Sequence, residues 1–192
     1  MKNSQVLEFL YQSIADTQAT IKAVDVKVGF LFLITFMPLP GLEVIFKASD
    51  VLLGVSLWHL LLLVPVLLFW LCALVSLISC TIPISKPGSH VRGDKPSGSF
   101  YAGFLFRMNF IDNFLNFPIK SEISIGEFKA SLPSTEDELI SELSFEKMKL
   151  AYIRQIKIKR AAFCALMTYG WVIFGVIAWV IFLVQGESNV NG

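Results

Sequence analysis

Two stretches of this chain carry no Asp, Glu, Lys or Arg: residues 51–85, 35 positions long, and residues 161–186, 26 positions long. Each exceeds the roughly 20 apolar residues that a helix needs to cross about 30 Å of hydrocarbon. A helix is required there, because lipid offers no partner for backbone N–H and C=O groups. The remainder of a 192-residue chain is too small to bury two such runs in a water-soluble core. Composition agrees: 16% of residues are charged, against about 25% in ordinary soluble domains.

A weaker apolar run covers residues 28–46. Glu43 interrupts it, and Pro38 and Pro40 sit in its second half, so a regular helix is expected to end or kink near Phe36. It reaches spanning length if Ile21 to Ala23 add a turn and Asp25 and Lys27 sit at headgroup level. The expected fold is therefore an all-α integral membrane protein with about three transmembrane helices plus amphipathic cytoplasmic helices. Residues 28–85 hold the first two spans, at about 24–46 and 56–80, residues 161–186 form the third, and 187–192 are a tail.

Cations orient this arrangement. Twelve of the sixteen Lys and Arg lie in residues 81–160 and three more in residues 1–27, whereas the tail has none. Positive charge accumulates on the cytoplasmic side, which places the N-terminus and the middle segment inside the cell, at an inner membrane. The net charge of +1 supplies no face able to neutralise many phosphates, so no nucleic-acid partner is expected. No signal-peptide pattern precedes the first apolar run.

Residues 1–27 read as an amphipathic helix, with Leu7, Leu10, Ile14, Thr17, Ile21, Val24 and Val28 at alternating steps of three and four. That seam calls for a partner helix or for a membrane surface. Residues 86–160 form the cytoplasmic segment, which opens with a loop, KPGSHVRGDKPSG at 86–98. Its His90, Arg92 and Lys95, beside Lys86, are candidate ligands for a phosphate, although their composition first suits a solvated basic linker near headgroups. An aromatic block follows at 100–117. Thr135 with Glu138 three residues on is a capping box that starts a helix, and no breaker occurs before Gly170. About 50 residues of unbroken helix would be about 75 Å long. The small residues Ala161 and Ala165, one turn apart, permit close helix approach within a membrane.

Catalytic signatures are absent. There is no HExxH, GxSxG or Cys–His arrangement, and the chain has two histidines, so neither an enzyme, a catalytic residue nor a metal site is expected. Cys72, Cys80 and Cys164 suit apolar packing, with no metal-ligand spacing. Pro65 lies inside the second span, and His59 near its outer end reads as an interfacial hydrogen-bonding residue.

The stretch IKAVDVKVGFLFLITF, residues 21–36, places Asp25 and Lys27 two residues apart at the start of the first span. It resembles the A-D-x-K-A motif of the membrane effectors of bacterial Pycsar antiphage systems, with Val28 where that pattern has Ala. The layout is also similar: a polar N-terminal helix, two close spans, a Pro-containing exit at Ile82 and Pro83, an aromatic block, and a charged helix running into a last span. The resemblance implies an effector of abortive infection. A neighbouring cyclase makes a cyclic pyrimidine nucleotide, cCMP or cUMP, and the effector, expected to be a homo-oligomer in the bilayer, then impairs the inner membrane. On a helix Asp25 faces Lys22 rather than Lys27. Asp25 and Lys27 thus read either as headgroup anchors or as members of an inter-helix or inter-subunit ion pair that changes on activation. A membrane scaffold or small channel subunit without a nucleotide ligand is the alternative.

Overall fold

The computed structural model describes residues 3–41, 43–47, 50, 60–93, 96, 100, 105 and 121–190, and among them no strand occurs. Among the described residues the named α-helices are α1 (Asn3–Phe36), α2 (Leu60–Thr81), α3 (Ile125–Ala130) and α4 (Glu136–Val190), and residues 43–47 are also helical. Short 3-10 turns lie at Leu39–Gly41 and Pro87–His90. Among the described residues, three stretches, Asn3–Gly41, Leu61–Thr81 and Glu136–Val184, contain helix long and apolar enough to cross a membrane.

Helix α1 is continuous across the polar and apolar parts that the sequence separates at residue 27. It ends at Phe36 because Pro38 has no N–H to donate and disfavours a helical conformation at Met37. Met37 N still donates to Leu33 O and Ile34 O, at 3.0 and 3.2 Å, before the chain turns. Residues 24–46 are therefore not one regular helix. Helix α2 accommodates Pro65 in its interior, and its first described residue is Leu60. Residues 56–59, His59 included, and the aromatic block apart from Phe100 and Leu105 lie outside the described residues.

Two boxes fix the later helices. Ser124 Oγ accepts from Glu127 N while Glu127 Oε2 accepts from Ser124 N, which starts α3. At α4, Glu138 N donates to Thr135 Oγ1, and Glu138 Oε2 accepts from Ser134 N and Thr135 N. Each satisfies N–H groups that the first helical turn leaves without partners.

The chain divides into two compact units, residues 1–20 with 85–154 and residues 21–84 with 155–192. In the first unit, Leu10, Ile14 and Thr17 of α1 and Glu142, Leu143, Glu146 and Leu150 of α4 are buried. Lys147 Nζ joins the two helices by donating to Ser13 O at 2.9 Å and Thr17 Oγ1 at 2.7 Å. A fully buried leucine such as Leu143 contributes about 1.5–3 kcal/mol.

The second unit is held by a cluster drawn from three helices: Leu31 of α1, Leu77 of α2 and Cys164 of α4, with Val28, Phe36, Cys80 and Ala165 packed against it. Trp70 Nε1 donates to Thr35 O at 2.9 Å, and Phe69 stacks on Phe174 with ring centres 5.5 Å apart. Hydroxyls within the apolar helices bond to their own backbone, as Ser76 does to Cys72 O and Thr168 to Cys164 O. The outer surface inverts the soluble pattern, since Leu67, Leu71, Val75 and Ile78 of α2 and Phe163, Leu166, Ile173, Val176 and Val180 of α4 are all exposed. Contiguous apolar surface of this kind is foreign to monomeric soluble proteins.

Candidate functional site

In the first unit the start of the basic loop, residues 86–90, is a folded element seated on α4. Lys86 adopts a left-handed conformation, φ 50°, which turns the chain into Pro87–His90. Ser89 closes the turn twice on Lys86 O, from its N at 3.0 Å and its Oγ at 2.8 Å. Gly88 approaches α4 so closely that a Cβ there would lie 3.2 Å from Phe145 Cζ and 3.4 Å from Lys149 Cδ. Two residues on, the His90 ring stacks on Tyr152 with centroids 4.7 Å apart. Phe145, Lys149 and Tyr152 stand four and three residues apart, so they share one face of α4, and that face receives the loop.

A cleft of about 350 Å³ opens beside this contact, lined by Pro87, Glu146, Lys149, Leu150 and Ile153. Lys149 pairs with Glu146 and lies 4.9 Å from the Phe145 ring centre. Glu146 is buried, and loss of hydration pushes its carboxyl above the ordinary value. The Lys149 hydrogen bond and charge oppose that shift, while the neighbouring Glu142 charge adds to it. The surroundings combine apolar walls, one buried acid–base pair, and the exposed Lys86, His90 and Arg92. Such a set suits a ligand with an anionic group and a flat apolar body.

Of the ligand candidates read from sequence, His90 and Arg92 are exposed residues of this loop, and Lys95 lies outside the described residues. Sequence reasoning missed Glu146, Lys149 and Tyr152. The repeat Phe145, Lys149, Tyr152 was the available signal, but it does not say which segment covers that face. Among the described residues no group of three His, Cys, Asp or Glu is placed to hold a metal ion.

Asp25 and Lys27 lie in the second unit. Asp25 bonds Lys157 of α4, 132 positions away, through both oxygens at 2.6 and 2.7 Å. Its ion-pair partner is Lys157, on another helix, and not Lys22, which shares its helix face. Lys27 is exposed. One turn beyond Lys157, Arg160 Nη1 donates to Ser79 O at 2.9 Å and Ile82 O at 3.3 Å, at the C-terminal end of α2. Ala165 packs against the Leu31–Leu77–Cys164 cluster within the chain, and Ala161 is half-buried.

No family model, curated protein or solved structure matches this chain.

Proposed function

We propose that the chain is a multi-pass inner-membrane effector, with its N-terminus in the cytoplasm, whose first unit receives a cyclic pyrimidine nucleotide and whose second unit then impairs the bilayer. The observation that carries the membrane reading is the apolar outer surface of three long helices, in which Ser76 and Thr168 turn their hydroxyls onto their own helix backbone. Water would leave that surface unburied, whereas hydrocarbon matches it.

The effector reading is supported by the co-linear layout shared with Pycsar membrane effectors, although Val24 and Val28 flank Asp25 and Lys27 where that motif carries alanine. It is also supported by the basic loop, which sits on α4, a helix that contributes residues to both units. A ligand held by His90, Arg92 and Lys95 acts by preferring one arrangement of α4 over another. Self-association belongs to the same proposal, but not through Ala165, which packs against the three-helix cluster within the chain.

Calorimetric titration of detergent-purified protein with cCMP and with cUMP tests the ligand. Saturable binding of one of them, lost on His90→Ala with Arg92→Ala, supports the reading. Dye uptake by cells that express the protein without any cyclase would remove ligand gating and favour the channel reading.

A further inference from the structure

One end of the second unit gathers ionisable side chains from two helices: Lys22, Asp25 and Lys27 of α1, and Lys157, Lys159 and Arg160 of α4. Two negative features lie at this end, and each already has its cation. The Asp25 carboxylate takes both its bonds from Lys157. The last carbonyls of α2 carry the negative end of a helix dipole, and Arg160 reaches them at Ser79 O and Ile82 O.

Lys22, Lys27 and Lys159 remain. All three are exposed, and among the described residues none lies within ion-pair distance of a carboxylate. Three ammonium groups thus border an apolar three-helix cluster with no counter-charge among the described residues. We propose that this rim is a binding surface for anionic phospholipid headgroups, which rests on the membrane reading above. Each ammonium meets a headgroup phosphate as a point charge while its methylene stem lies along the apolar border. A lysine near an anionic leaflet favours association by about fivefold, so three act together as a substantial preference.

The test uses the full chain reconstituted in vesicles, with spin-labelled phosphatidylglycerol or phosphatidylcholine as probe. The fraction of motionally restricted probe gives the relative association of the two lipids. The wild-type protein should prefer phosphatidylglycerol several-fold. Lys22→Gln with Lys27→Gln and Lys159→Gln should abolish the preference, and the same three changes to arginine, or Lys47→Gln alone, should keep it. If the glutamine variant does not reconstitute, the wild-type preference must still fall as salt rises. Equal association of the two lipids with the wild-type protein overturns the proposal, as does an unchanged preference in the glutamine variant. Inorganic phosphate replacing chloride at equal ionic strength should not compete; if it does, the lysines hold free anions and the lipid surface is refuted. Protein that fails to float with vesicles of either composition refutes the membrane reading itself, and this surface with it.

Discussion

Replacing Gly170 by alanine sets two physical effects against each other. Helix propensity alone favours alanine over glycine by about 1 kcal/mol. At this position, however, a Cβ would stand 2.6 Å from Phe69 Cδ1 and 2.9 Å from Phe69 Cγ and Cε1. Carbon atoms rest at about 3.5–4.0 Å, so ring and helix must separate by about an ångström. The ring cannot swing clear cheaply, because Cγ is tied to the α2 backbone and the face is stacked on Phe174. Overpacking of this kind costs about 1–3 kcal/mol, which exceeds the propensity gain over most of that range. Gly170→Ala should therefore destabilise the protein by up to about 2 kcal/mol, measured by unfolding in mixed micelles of rising dodecyl sulfate followed by circular dichroism. Phe69→Leu removes the obstacle at the expense of the stacking, about 0.5–1.5 kcal/mol. In that background Gly170→Ala should be neutral or stabilising, a coupling of at least about 1 kcal/mol. Stabilisation by Gly170→Ala with Phe69 intact would refute the close approach of α2 and α4.

Three further outcomes are expected. Burial raises the Glu146 carboxyl, so its contribution to stability is fully present below the ordinary carboxylate pKa and is lost as pH rises through the raised value; Glu146→Gln should flatten that part of a pH series of thermal unfolding. Glu127 and Glu138 have the opposite sign, because hydrogen bonds from Ser124 and from Ser134 hold them low, so their capping stability is lost only as pH falls through the lowered values, and helix content followed by circular dichroism should drop there. Asp25→Lys should lower cyclase-dependent dye uptake more than Glu187→Lys does, and adding Lys157→Asp should restore it. The direct stability effect should stay below about 1 kcal/mol because the Asp25 side chain is half exposed; equal, negligible losses from the two single reversals would leave Asp25 as an anchor alone.

Much of the helical framework was legible in the chain. The seam Leu7 to Val28 repeats every three or four residues among polar neighbours, and its members are buried or half-buried in α1. The same period continues to Leu31 and Thr35, both buried, but there the surrounding residues are also apolar and hide it. Thr135 with Glu138 announced α4, whereas the Ser124–Glu127 box has the same signature and passed unread because α3 is only six residues long. Pro38 and Phe36 marked the end of α1 for the steric reason the structure shows. Long-range partners were the opaque part. Nothing local to Asp25 points to Lys157, and Gly170, a breaker by propensity, is instead the place where α4 admits the Phe69 ring. The basic loop could be named from composition, but its seat on Phe145, Lys149 and Tyr152 required the fold.

Labelling of introduced cysteines in cells tests the central claim of a three-span membrane protein most directly. In a background lacking Cys72, Cys80 and Cys164, a cysteine at Ser97 should resist an impermeant maleimide in intact cells and react after permeabilisation. A cysteine at Ser188 should react in both. The reverse pattern, or full release of the protein from membranes by alkaline carbonate, would contradict the account.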